Sequence, residues 1–260
     1  MRSILLYADR SEAMTARLET ALSLARTMEG HLSVLVDTPI ARFMAMDSMG
    51  GSYLAADAVR DAVDRDDSYA EELAAHLRRE DVTFDVLRGE EEPVDALSEA
   101  SRLADVVVLS RGCEFAGQLA VAGTAPILIV SDDQRLTTPV DIVAVAWDGS
   151  YEAAAALRKA VPLLKLANQV FVLTVGEKVG AFPAIDAVQY LSRHGVKAEL
   201  QPLARTGSVE ETLAAAVARL QAGLLVMGAF GHSRLREFLM GGVTKYFLEL
   251  ENGPALLLAH

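Results

Sequence analysis

The chain of 260 residues carries 36 acidic and 24 basic side chains, a net charge of −12, and is 52% hydrophobic but 6% aromatic. Its apolar mass is Ala, Leu and Val, which suits packed α/β layers, and its length allows two small domains or one large one. The single cysteine, Cys113, excludes an intrachain disulfide framework and any multi-cysteine metal site. No apolar run approaches the roughly 20 residues of a membrane span. The charge is lopsided: residues 1–136 hold 25 acids and 13 bases, residues 137–260 hold 11 of each, and every lysine lies in the second part. The first part would repel a polyanion, which argues against nucleic acid as a partner.

In chain order, Ser3 to Ala8 is an apolar run ending at Asp9. It reads as a first strand, because the acid arrives too early for a secretory signal. With the lone cysteine, the cytoplasm is the simplest location. Ser11 to Met28 is a helical stretch opening on a serine, a good N-cap. His31 to Val36 is a second apolar run. Thr38 to Tyr53 follows, with Phe43, Met44, Met46 and Met49. Methionine clusters adapt to varied apolar surfaces, so this insert reads as a packed insert, a lid or a docking surface for a protein partner.

Asp57 to Glu72 is rich in acids but lacks calcium-loop spacing, and reads as a solvated helix face. Glu90 to Glu92 lead through Pro93 into a helix, where acids are favourable near the N-terminus. The runs Ala104–Ser110 and Ala125–Val130 close the first pass, and the polar, proline-ended link Asp132–Pro139 follows.

The plan then repeats. Asp141 to Ala146 ends at Trp147-Asp148, Ser150 to Leu166 is helical and again opens on serine, and Gln169 to Val175, Ala222 to Gly228 and Gly253 to Leu258 match the earlier runs. Continuous apolar strands alternating with helices indicate βαβ units. The reading is an α/β chain of two tandem open-twisted parallel-sheet domains with Rossmann-type layers, residues 1–134 and 138–260.

The repeats differ where Gly228 is followed by Gly231, Gly241 and Gly242, then Val243 and Thr244. Glycines admit close backbone approach to an anion, and a helix N-terminus adds unpaired N–H donors and partial positive charge. Ser110 to Pro126 is about ten residues shorter than Gly228 to Pro254, so the first copy is expected to lack the glycine loop and the helix after it. The acidic, glycine-looped pair of halves thus has one phosphate cradle, in the second copy. His232, Ser233, Arg234 and Arg236 lie within that loop; the arginines either meet terminal phosphates or are solvated.

The spacing Gly-x2-Gly-x9-Gly followed by Val243-Thr244, together with the tandem plan, resembles the universal stress protein family over nearly the whole chain. The family normally has Ser or Thr where this chain has Gly242, which removes one hydroxyl from the implied phosphate site. The resemblance implies a fold like that of adenine nucleotide alpha hydrolases. It also implies ATP or another adenine nucleotide as ligand, with Mg²⁺ left open, at Ala146, Asp148, Val175, Met227, Gly228, Gly231, Gly241, Gly242, Val243 and Thr244. Asp148 is also a candidate helix cap before Ser150. No Walker lysine or placed general base points to catalysis. The expected function is a nucleotide-dependent binding module in stress response. A nucleotide-free scaffold and, behind it, a slow ATPase are the alternatives. Family members pair through their last strands, so the resemblance further implies that residues 126–130 and 254–258 pair within the chain; either a monomeric pseudo-dimer or a homodimer satisfies the plan.

Overall fold

A computed structural model describes residues 1–41, 52–176, 182–229 and 242–260. The first pass comprises β1 (Ser3–Ala8), α1 (Met14–Met28), β2 (His31–Asp37), α2 (Ser52–Leu77), β3 (Thr83–Gly89), α3 (Pro93–Ala100), β4 (Val106–Ser110), α4 (Ala116–Ala122) and β5 (Ile127–Val130). The second comprises β6 (Ile142–Ala146), α5 (Tyr151–Leu164), β7 (Gln169–Val175), α6 (Ala184–Arg193), β8 (Ala198–Leu203), α7 (Val209–Leu220), β9 (Leu224–Gly228), α8 (Gly242–Glu249) and β10 (Ala255–Ala259).

All ten strands join one sheet in the order β3-β2-β1-β4-β5-β10-β9-β6-β7-β8. Each half has the doubly wound order, and every pairing is parallel except that of β5 with β10. There Ile127 lies opposite Leu258, Leu128 opposite Leu257 and Ile129 opposite Leu256. The expected internal pairing is thus present. Both strands are buried throughout, so either left as an open edge would template aggregation.

Strand alternation divides the core between the two faces. Ile4, Leu6, Val106 and Val108 meet residues of α1, α2, α5 and α6 in one layer. Leu5, Val107 and Leu109 meet residues of α3, α4, α7 and α8 in the other. This two-sided cover is why the strands read as unbroken apolar runs rather than alternating ones. The link between halves is tied to α1: the Leu136 N–H donates to Thr20 Oγ1 at 2.9 Å and the Thr138 N–H to Ser23 Oγ at 3.0 Å.

Two local expectations need correction. Ser11 does not cap α1; the helix begins at Met14 with Ala13 at the cap position and no side-chain cap bond. Asp9 captures Ser11 instead, accepting its N–H at 3.0 Å and its hydroxyl at 2.5 Å, which holds Ser11–Ala13 as a turn. Nor has the first copy lost the helix before its last strand: α4 stands there, with seven residues. The shortening therefore falls on the connection from β4.

Candidate functional site

The crevice outside the carboxyl ends of strands, at the point where strand order reverses, is where open α/β sheets bind ligands. In the second half that point lies between β6 and β9, and a cavity of about 570 Å³ opens there. Its size falls in the range of small-molecule sites. A larger hollow beside α2, about 770 Å³, is wide open and lined by charged side chains such as Arg10, Asp61 and Glu72.

The cavity gathers most of the sequence candidates. Ala146 and Asp148 come from the end of β6, Val175 from β7, and Met227 and Gly228 from β9; Gly242, Val243 and Thr244 come from the first turn of α8. Thr244 is buried, 3% exposed, and still lines the cavity. Gly231 and Gly241 lie outside the described residues, as do His232, Ser233, Arg234, Arg236 and the methionines of the insert.

Asp148 does serve the turn as well: its Oδ1 accepts the Ser150 N–H at 3.0 Å, and Ser150 Oγ caps α5 by accepting the Ala153 N–H at 3.1 Å. Gly228 is required by packing. A Cβ there would stand 2.6 Å from the Ala153 nitrogen and 2.7 Å from the Glu152 carbonyl carbon. Gly242 is different: among the described residues, the nearest atom to a Cβ on it is Glu210 Oε1 at 3.9 Å.

Sequence reasoning missed several walls of the cavity. Trp147, 5% exposed, lines it and donates its indole N–H to the Phe182 carbonyl at 3.0 Å, with the two rings edge to face at 6.4 Å. Phe182 and Ile185 form an exposed apolar rim. Glu210, in the first turn of α7, is a second carboxylate in the lining, besides Asp148. Trp147 had a signal, its place next to Asp148 at a strand end. Phe182 and Glu210 reach the cavity only through tertiary packing.

The sheet registers place Tyr7 where the second half has Ala146, Asp37 where it has Val175, and Ser110 where it has Gly228. Arg17 on α1 corresponds to Ala156 on α5 by equal spacing from Asp9 and Asp148. Arg17 is 1% exposed and donates to Asp9 Oδ1 at 2.7 Å and Ser110 Oγ at 3.1 Å, while its guanidinium carbon lies 5.9 Å from the centre of the Tyr7 ring. Tyr7 packs edge-on against Phe115 at 5.3 Å. The first half therefore places larger side chains, Tyr7 and Arg17, at positions where the second has Ala146 and Ala156, with Tyr7 standing where Ala146 lines the cavity. Burial pushes the Tyr7 phenol up, and pushes the nearby Cys113 thiol up to about 11, so Cys113 is a neutral thiol near pH 7. Among the described residues, no cluster of three or more His, Cys, Asp or Glu is placed to hold a metal ion, and no helix is long and apolar enough to cross a membrane.

Fold and cleft together define a doubly wound α/β protein with a ligand-sized crevice at the switch point of its second half. Residues 139–258 match the model of the Universal stress protein family. Solved structures resemble the whole chain. A universal stress protein from Archaeoglobus fulgidus DSM 4304 is 17% identical with a TM-score of 0.73, covering 98% of this chain and 97% of its own. A putative universal stress protein from Pseudomonas aeruginosa UCBPP-PA14 is 16% identical with a TM-score of 0.62, covering 100% of this chain and 93% of its own. At that identity the likeness is one of fold. No curated protein matches the sequence.

Proposed function

We propose that the second half binds an adenine nucleotide and that its occupancy governs contacts with partner proteins in a cytoplasmic stress response. The carrying observation is convergence: strand ends and the first turn of α8, picked out by the glycine pattern and the family resemblance, line one cavity at the switch point. The first turn of α8 offers N–H groups without a partner inside the helix, which suit a phosphate, and Ala146, Val175 and Met227 offer an apolar wall for a base. On this reading the chain comprises two units, residues 1–134 and 138–260. The first carries no site because Tyr7, Arg17 and Asp9 occupy its cleft, and the β5–β10 pairing lets one chain act as its own dimer.

Calorimetric titration of nucleotide-stripped protein with AMP, and with ATP in the presence and absence of Mg²⁺, tests this. Saturation at one site per chain is expected, with a matching change in emission from Trp147, the one tryptophan of the chain. Two sites would restore the first cleft as a ligand site. Absence of heat with every adenine compound, together with an unshifted melting curve, would overturn the reading.

The room beside Gly242 among the described residues gives a second test. A serine Cβ there makes ordinary contact at 3.9 Å, so Gly242→Ser is expected to fold and to restore a hydroxyl at the start of α8. A hydrogen bond to a charged group contributes about 1.5 kcal/mol or more, so AMP is expected to bind roughly tenfold tighter while adenosine is unchanged. Equal tightening of both ligands would mean that the hydroxyl does not meet the phosphate.

A further inference from the structure

We propose that Glu210 sets the charge class of the ligand, so that the pocket takes adenosine or its monophosphate and disfavours metal-free ATP. This rests on the nucleotide reading above and adds a specificity-determining residue to it. Glu210 follows the N-cap Ser208 by two positions, in the first turn of α7. Its neighbour Glu211 completes the helix cap: Glu211 Oε2 accepts the Ser208 N–H at 2.9 Å, and the Glu211 N–H donates to Ser208 Oγ at 3.2 Å. The cap is thus served by Glu211, and Glu210 lines the cavity instead.

Its Oε1 lies 3.9 Å from the Cβ position of Gly242, beside the N-terminus of α8. Two helix N-termini therefore share one resident carboxylate, in the place where the phosphate of a nucleotide is expected. Asp148 and Glu210 are the charged side chains among the described lining residues, and both are acidic. A phosphate entering at α8 meets a fixed negative charge a few ångströms away. In a half-exposed setting, such a pair of charges weakens binding by a factor on the order of ten for each added charge near the carboxylate. Adenosine escapes this repulsion, a monophosphate meets it once, and metal-free ATP meets it most. Mg²⁺ lowers the charge of ATP and with it the repulsion.

The test uses the full chain, stripped of nucleotide, titrated with adenosine, AMP, ATP in EDTA and ATP with Mg²⁺. Trp147 emission and calorimetry are the readouts. Adenosine is expected to bind at least tenfold tighter than metal-free ATP, and higher salt should narrow that gap through screening. Glu210→Gln is expected to strengthen metal-free ATP about tenfold and leave adenosine within twofold. Glu210→Lys should carry ATP further in the same direction. Thermal melting of both variants confirms folding, and either variant alone is sufficient to score the result. The proposal is overturned if metal-free ATP binds the unaltered protein as tightly as adenosine, or if both variants move the two ligands alike. If no adenine compound binds any of the three proteins, the nucleotide reading itself fails.

Discussion

Replacing Gly228 with alanine is expected to destabilise the protein by about 3 kcal/mol and to weaken ligand binding at least tenfold. Gly228 ends β9, where Ala259 of β10 pairs with it in register and the Ala229 N–H donates to the Ala259 carbonyl at 2.8 Å. The strand cannot easily retreat. On the other side stands the first turn of α5, with the Ala153 nitrogen 2.6 Å and the Glu152 Cβ 2.9 Å from the new methyl group. That turn must shift, and the Ala153 N–H is the donor that Ser150 Oγ caps. Overpacking costs about 1–3 kcal/mol and a lost cap about 1 kcal/mol. For a chain of this size the melting temperature should fall by roughly 6–12 °C. The same shift carries Asp148 and Ser150 away from the cavity, so affinity falls with stability. Urea denaturation and Trp147 titration read the two effects. Unchanged stability in the variant would mean that α5 does not approach β9 this closely.

The first half shows the same constraint released. Ser110 holds the place of Gly228, and its Oγ lies 3.5 Å from the Ala13 carbonyl. It fits because Ser11–Ala13 is a turn and α1 starts only at Met14, whereas α5 starts at Tyr151, the equivalent of Glu12. Glycine at this position thus goes with an early start of the following helix, and serine with a late one.

Strands and helices were legible because each strand is buried on both faces, which leaves an unbroken apolar run such as Val106–Ser110. The pairing of β5 with β10 was expected through the family resemblance, and its register joins two runs that are buried along their length. The sequence did mark strand-end positions that line the cavity, where the backbone itself dictates residue type: Gly228 is forced by contact and Asp148 by the turn it makes. Glu210 and Phe182 were not marked, because their local sequence serves another purpose or none. Glu210 stands in an ordinary helix start, and only the packing of α7 near α8 places it at Gly242. The cap on α1 was misread because Ser11 has two suitors, the helix and Asp9. Arg17 tips the choice by holding Asp9 in place. Arg17 itself looked like one of many charged helix positions; spacing from Asp9 to the equivalent Ala156 was its only signal.

Arg17→Met is expected to cost about 2–3 kcal/mol at neutral pH and to leave the second half's ligand affinity unchanged. Breaking a buried ion pair by removing one partner leaves the other's charge uncompensated, a loss of about 3–5 kcal/mol when both are fully buried. Here Asp9 is 34% exposed, so the lower figure applies. Burial by itself would raise the Asp9 carboxyl, but the Arg17 charge and the bonds from Ser11 and Arg17 outweigh it and hold the carboxyl below its usual range. The folded pKa is then below the unfolded one, so the unfolded chain takes up protons first as pH falls. The pair's contribution is complete above the ordinary carboxylate pKa of about 4, and is lost as pH drops through the folded value. Urea midpoints from pH 7 to pH 3 should therefore show the gap between the unaltered protein and Arg17→Met closing with acid. A constant gap would assign the loss to packing alone. The double variant Arg17→Met, Asp9→Asn should recover part of the stability, since it removes the stranded charge along with its partner. Such recovery, with ligand affinity unchanged, would make the ion pair a local filling of the first cleft: a cation and an anion of the chain itself, where the second half keeps room for a molecule from outside.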